Sequence, residues 1–241
     1  MAAPVLQDPP VSNGSNNLLL KGLSARDRRN LISGAEPVTL QVGDALSESG
    51  RRMPHVFFPI DSAASLIVTG AGHSPLEVGL VGREGMLGVP LILGASNAAF
   101  RSVVQIAGRA WRMDAAQFTR QLDENPALRQ RMNRYAHVRL VQIAGNVACK
   151  SFHRVEGRLA RWLLMSRDRA NSDALALTHE SLSNLLGVRR AGVTLAATAL
   201  RRRNFIRYTR GHIELLDPRG LASVACPCYA SDKATYARFM D

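Results

Sequence analysis

From Pro126 to about Phe152 the chain offers roughly 26 residues of helix-forming sequence with no interior proline, and no other stretch limits the possible folds so sharply. Pro126 suits the first position of a helix, where its missing N–H would have had no partner anyway. The apolar residues of this helix lie on two faces. Met132, Ala136, Leu140, Ile143 and Val147 follow coiled-coil-like steps of four and three, while Leu128, Tyr135, Val138, Val141 and Ala148 lie on another side. A single buried helix would not need two stripes. One stripe can cover a neighbouring domain while the other pairs with a second copy of itself. A homodimer is expected, with its interface on the five residues of the first stripe.

Ahead of the helix the texture is that of β-structure. Short runs at Val38–Val42, His55–Phe58, Ser65–Thr69, Leu76–Val81 and Ser102–Met113 alternate with turn signals such as Gly43-Asp44, Pro59-Ile60-Asp61 and Gly82-Arg83-Glu84-Gly85. Many short strands at near-regular spacing predict a small antiparallel barrel or jelly roll. Asp114-Ala115-Ala116-Gln117 reads as a capping box opening a helix that stops at Asn125-Pro126. Ser24 is expected to cap a short helix ending near Gly34. Residues Met1 to Asn17, rich in Pro, Ser and Asn and without a hydrophobic core, read as a disordered tail rather than a signal peptide.

Beyond the helix the charge changes. Between Ser181 and Ile213 stand seven arginines, Arg189, Arg190, Arg201, Arg202, Arg203, Arg207 and Arg210, and no Asp or Glu. The net charge of the whole chain is +12, and residues 151–241 carry 15 Lys+Arg against 8 Asp+Glu, so the excess is densest here. A positive field without compensation on a compact helical unit suits a phosphate backbone, because each neutralised phosphate releases condensed counterions. The local pattern agrees. An amphipathic helix from Val155 to Leu164 and a short strand at Asp173–Leu177 precede a helix capped by Thr178, with Leu182, Leu185 and Leu186 on its buried side. Gly187-Val188 forms a turn, Arg189 to Arg203 a second helix, and Phe205–Tyr208 with Ile213–Leu216 a two-stranded wing across Arg210-Gly211. Another helix follows Pro218. Helix, glycine turn, helix and wing predict a winged helix-turn-helix.

With Leu177-Thr178-His179-Glu180-Ser181-Leu182-Ser183-Asn184-Leu185-Leu186-Gly187-Val188-Arg189-Arg190 in view, the chain resembles the Crp/Fnr family of bacterial transcription regulators. Val155-Glu156-Gly157-Arg158-Leu159-Ala160 resembles the family's helix after the hinge. Gly85-Met86-Leu87-Gly88 and Arg101-Ser102 resemble its cyclic-nucleotide barrel. The resemblance runs in order over about residues 18–216. It implies an α+β fold with an N-terminal cyclic-nucleotide-binding-like β-roll over 18–125, a dimerisation helix over 126–152 and a winged helix-turn-helix domain over 153–241, after a tail over 1–17. It also implies a cytoplasmic homodimer that binds an inverted-repeat site on double-stranded DNA and works with RNA polymerase.

The family reads bases with three side chains that fall here on Arg190, Ala191 and Leu195. Arg190 can meet guanine O6 and N7, whereas Ala191 and Leu195 cannot make the hydrogen bonds usual in the cyclic-AMP type, so a related but different half-site is implied. Arg189, Thr194, Arg201, Arg202, Arg207 and Arg210 are expected phosphate contacts. The ligand pocket implied by the resemblance comprises Gly88, Val89, Arg101, Ser102, Ile143 and Ala144, and it departs from the cyclic-AMP pattern. Val89 stands where the ribose-binding Glu should be, and Ile143-Ala144 replace the purine-contacting Thr-Ser pair. Cyclic AMP is therefore not the expected effector. Arg101 and Ser102 could still hold another nucleotide or anion, which would make the barrel a sensor of that ligand. Alternatively, Arg101 is a strand arginine paired with a neighbour.

Three cysteines, Cys149, Cys226 and Cys228, are too few for a secreted disulfide framework. The two thiols of Cys226-Pro227-Cys228 cannot complete a tetrahedral metal site by themselves, the cluster-binding N-terminal cysteines of iron–sulfur relatives are missing, and the six histidines show no paired spacing on one helix. No metal and no cofactor are expected. No apolar run reaches the ~20 residues that span a bilayer, so no membrane partner is expected. Without a nucleophile triad, a phosphate loop or paired carboxylates (Glu77 and Glu84 read as isolated), an enzyme is not expected.

Overall fold

The computed structural model describes residues 16–70, 75–170, 172–209 and 211–241. Two short helices begin the described chain, α1 (Leu18–Lys21) and α2 (Ala25–Ile32), the second capped by Ser24 Oγ, which accepts from Asp27 N. Asn17, placed in the tail by sequence, is instead fully buried. It caps α1, and its amide donates to the carbonyls of Pro59 and Gly85 at 2.8 Å each, because a buried carboxamide needs all its partners.

Then come β1 (Ala35–Leu40), β2 (Ala45–Ser47), β3 (His55–Pro59), β4 (Ala63–Val68), β5 (Leu76–Val81), α3 (Val89–Ile92), β6 (Arg101–Ile106) and β7 (Gly108–Asp114). The run read as one strand over 102–113 is two, divided before Gly108, where a side chain would collide with the backbone of Asp61. β2 and α3 are additions to the expected elements; they are three and four residues long, too short to carry a period. All strands pair antiparallel, in sheets of order β1-β7-β3 and β2-β6-β4-β5. Between the sheets Leu40, Phe57 and Ala110 meet Ala64, Val81 and Val104.

Because strand side chains alternate, Val56, Phe58, Trp111 and Met113 leave by the opposite face. There they pack on α4 (Ala115–Glu124) and the first half of α5 (Pro126–Phe152). Asp114 caps α4 by accepting from Gln117 N, and Asn125 caps α5 by accepting from Leu128 N. Leu128, Tyr135 and Val138 are buried on this face. So are Met132 and Ala136, which corrects their assignment to the dimer stripe: their side chains enter the core of their own protomer, and the exposed side of this half of α5 carries Gln130, Asn133, Arg134 and His137. The exposed apolar side chains come later: Leu140 and Val147 share one face, and Val141 and Phe152 lie together on the next, roughly 100–120° round the helix.

The C-terminal region comprises α6 (Val155–Ala170), β8 (Ala174–Ala176), α7 (His179–Leu186), α8 (Arg190–Arg202), β9 (Ile206–Thr209), β10 (His212–Leu215), α9 (Pro218–Val224) and α10 (Cys228–Met240). Its core gathers Leu159, Leu163, Leu182, Leu186, Val193 and Leu200 around Ile206 and Ile213. The wing has three strands rather than two, since β8 pairs with the far edge of β10. α10 returns along α5 and buries Met240 in the barrel-side core.

Candidate nucleic-acid interface and sensor cavity

Thr178 Oγ1 accepts from Ser181 N to start α7, and Gly187 ends it in the left-handed conformation (φ 63°, ψ 46°) that a Cβ would strain. The chain is thereby turned into α8, which buries Val193, Ala196, Ala197 and Leu200. The opposite side is free. Arg189, Arg190, Ala191, Thr194, Leu195, Arg201, Arg202 and Arg207 are all exposed, Leu195 by 74%. Arg210 lies outside the described residues. The positive field is partly compensated, contrary to the reading of the arginine run alone. Arg207 pairs with Glu214 across the wing at 2.8 Å, and Arg203 pairs with Glu156 at 3.2 Å. Glu214 is the first residue past the acid-free stretch, while Glu156 lies about 25 residues before it and reaches it only through the fold.

The wing and both helices of the turn meet at His179, a residue that sequence reasoning passed over. Its ring stacks on Tyr208 of β9, and its Nδ1 lies 3.1 Å from Thr194 Oγ1 of α8. Burial, with the nearby Arg190 charge adding to it, pushes the His179 pKa down from its ordinary value.

In the barrel, Gly88, Val89, Ser102 and Ile143 line a cavity of about 760 Å³ together with Leu66, Val81, Met86 and Phe100. Arg101 and Ala144 do not line it. Arg101 and Ser102 are neighbours on one strand and so face opposite ways. Ser102 turns inward, 2.9 Å from Ser47 Oγ, and Arg101 turns out to pair with Glu48 at 3.0 Å. The cation at this cavity is Arg139 of α5, only 3% exposed. Its Nη1 donates to Leu80 O (3.2 Å) and Gln142 Oε1 (2.7 Å), while Nε and Nη2 have no hydrogen-bond partner among the described residues. No Asp or Glu is among the described residues that line the cavity. Arg139 could have been found in the sequence only as a charge falling between apolar positions of the long helix.

The winged head is seated on the barrel by polar contacts. Glu77 of β5 is buried and accepts from Trp162 Nε1 of α6 at 3.0 Å and from Ser65 Oγ. Desolvation pushes its carboxyl above the ordinary carboxylate range. At the end of α7, Lys150 Nζ donates to Leu185 O (3.1 Å) and Arg158 to Leu186 O, so cations satisfy the last carbonyls of that helix. Glu77, read as isolated in sequence, is thus the centre of an interdomain contact.

Residues 157–224 match the Crp-like helix-turn-helix domain. No curated protein sequence matches the chain. Among solved structures the fold is similar to FixK2 from Bradyrhizobium japonicum, at 11% identity over 80% of this chain and 98% of that one (TM-score 0.67). It is similar to TTHA1359, a Crp/Fnr-family transcriptional regulator from Thermus thermophilus, at 23% identity over 79% and 98% (TM-score 0.62). The c-di-GMP responsive global regulator CLP of Xanthomonas campestris is 13% identical over 80% and 99% (TM-score 0.63). The described residues include no helix long and apolar enough to cross a membrane. Residues 157–224 are thus a Crp-like helix-turn-helix domain, and the arrangement of barrel, long helix and winged head is the fold shared with these solved structures.

Proposed function

We propose that the protein acts as a homodimer whose two α8 helices read an inverted-repeat DNA site, with Arg190 on a guanine edge and Arg189, Thr194, Arg201 and Arg202 on phosphates. The observation that carries this reading is the bare apolar face on the second half of α5, where Leu140 (67%) and Val147 (60%), two turns apart on one side of the helix, are open to solvent. Burying each such side chain contributes about 1.5–3 kcal/mol, so a second copy laid along that face is its natural cover. Two heads on one dimer match half-sites about one helical turn apart. RNA polymerase is then the downstream partner, as for a regulator of this type. The domain limits that follow are 18–125 for the sensor, 126–152 for the dimerisation helix and 153–241 for the head. Light scattering with mobility shifts on inverted-repeat and single half-site duplexes tests the reading. A monomer that binds both duplexes equally defeats it.

For the sensor, the cavity favours an amphipathic anion over cyclic AMP. Its walls are apolar, the described lining offers no carboxylate for a ribose hydroxyl, and Arg139 holds two unpartnered donors. An uncompensated buried charge is costly, and a carboxylate or phosphate would satisfy it. The resemblance to a c-di-GMP responsive regulator keeps a larger nucleotide among the anions to be tried. Leu140 and Ile143 line the cavity and also border the α5 apolar line, so ligand and dimer would be coupled through them. Thermal shift with fatty acids, aryl carboxylates, c-di-GMP and cyclic AMP tests this, since a ligand at 100 times its Kd stabilises by about 2.7 kcal/mol. A shift with cyclic AMP that persists in Arg139→Met would overturn it.

A further inference from the structure

Cys149 and His153 stand four residues apart at the carboxyl end of α5, one turn above the other on the same face. Cys226 and Cys228 flank the turn into α10, more than 70 residues later in the chain. Folding brings all four together. Cys149 Sγ lies 3.5 Å from Cys226 Sγ, Cys228 Sγ lies 3.5 Å from His153 Nδ1, and the four ligand atoms all lie within 4.8 Å of one another. In a tetrahedral zinc site with Zn–S of about 2.3 Å and Zn–N of about 2.0–2.1 Å, neighbouring ligand atoms stand about 3.5–3.8 Å apart. Three thiols and one imidazole are a donor set of the structural zinc class.

Its surroundings fit the same ion. Three thiolates, a neutral imidazole and Zn²⁺ sum to one negative charge. Arg161, 8% exposed, is on the adjacent face of α6, where its charge and that of Arg158 act on Cys149 and Cys226. One guanidinium nitrogen of Arg161 is paired with Asp232 and Asn146, but its buried Nε has no partner among the described residues. Positive charge beside the sulfurs favours the thiolate forms that a zinc ion requires. A four-iron cubane cluster would need its four ligands spread round a cube, farther apart than these lie.

We propose that Cys149, His153, Cys226 and Cys228 bind a single zinc ion that clamps the hinge between α5 and the DNA-binding head. His153 is the residue at which α5 ends, and α6 starts at Val155. Cys226 N donates to Gly157 O at 3.1 Å, tying the same turn to the start of α6. α10, which begins at Cys228, runs back to the barrel, where Tyr236 Oη donates to Glu84 O at 2.7 Å. The ion would therefore fasten the long helix, the head and the returning tail at one point. Two cysteines near the C-terminus cannot form such a site alone; the remaining two ligands come from the helix.

The test uses the full-length chain purified without chelator. Elemental analysis is expected to give about one zinc per chain, with the three thiols slow to react with Ellman's reagent until chelator is added. Cobalt in place of zinc should give the intense visible bands of a tetrahedral thiolate site. Cys228→Ser and His153→Ala, at the half-exposed ligands, should weaken metal retention at least tenfold while circular dichroism stays unchanged. Chelation should lower affinity for duplex DNA about tenfold without dissociating the dimer. A folded chain that takes up neither zinc nor cobalt, that binds iron in preference, or that carries a Cys149–Cys226 disulfide when isolated with zinc present overturns the site. Unchanged DNA affinity on chelation overturns the clamp.

Discussion

The ring of His179, at the start of α7, stacks on the ring of Tyr208 in the wing strand β9, with centroids 4.3 Å apart and planes inclined by 23°. The stack joins the first helix of the DNA-binding turn to the wing. Since His179 Nδ1 also meets Thr194 Oγ1, one imidazole fixes the spacing of all three parts of the interface.

This position makes the head sensitive to acid. The His179 pKa is lowered in the fold, so the unfolded chain takes up the proton first as pH falls. Stability contributed here is fully present above the unfolded value of about 6.5 and declines as pH drops through it. Thermal melts between pH 5 and 8 should show this decline, and His179→Gln should flatten it. Tyr208→Ala removes a stack worth about 0.5–1.5 kcal/mol and should weaken cognate and scrambled duplexes alike. A selective loss on the cognate site would mean that Tyr208 contacts bases.

Glu77 leads to the opposite pH range. Burial raises its carboxyl pKa, so the folded state keeps the proton longer than the unfolded chain. Stability is then greatest at the acid end and falls as pH rises from the ordinary carboxylate value through the raised one. Glu77→Gln keeps an acceptor for Trp162 Nε1 and removes the charge. It should abolish that slope and melt higher than the parent at neutral pH. Glu77→Leu leaves Trp162 Nε1 buried without a partner and should cost about 1–3 kcal/mol. A glutamine variant that melts lower at pH 7 would show that the carboxylate is charged in place.

The apolar line on α5 predicts a dimer that one charge can split. Val147→Asp places a carboxylate in the seam of both copies and should raise the dimer Kd by roughly 100-fold or more, since about 3 kcal/mol of apolar burial is lost. Sedimentation at micromolar concentration reads the outcome. Ala136 and Met132 are unsuitable for this experiment, because substitutions there damage the protomer core. A Val147→Asp chain that stays dimeric moves the seam elsewhere.

What could be read in the sequence was what short-range chemistry determines. Ser24, Asp114 and Thr178 cap the helices expected of them, Pro126 opens α5, and Gly187 ends α7. What failed depended on which side of an element faces its own protomer. The steps of four and three from Met132 to Val147 are real, but period alone cannot say that the barrel covers the first two residues and leaves Leu140 and Val147 bare. Resemblance puts Arg101 and Ser102 in one pocket, although alternation along a strand forbids both from facing it. The pairing of Cys149 and His153 escapes a search for paired histidines, and nothing local links them to Cys226. Arg207 and Arg203 look free in the sequence because Glu214 falls just past the arginine run and Glu156 lies far before it, on α6.

Arg190 and Arg202 should fail differently when each is changed to alanine. Both are exposed on α8, but Arg190 is its first residue and Arg202 its last, so the two ends of the helix meet different parts of a duplex. At the amino-terminal end a guanidinium can reach a base edge. Arg190→Ala should cost about 1–3 kcal/mol on the cognate site and relax choice at one base pair. At the far end only the sugar-phosphate chain is within reach. Arg202→Ala should weaken specific and non-specific binding together and make the slope of log K against log salt shallower by about one per protomer. A salt series on cognate and scrambled duplexes separates the two. Arg207, held by Glu214, should change the slope less than Arg202 does, since its charge is already partly neutralised. If Arg190→Ala loses affinity equally on both duplexes, the residue meets phosphate, and base reading falls to another side chain of α8.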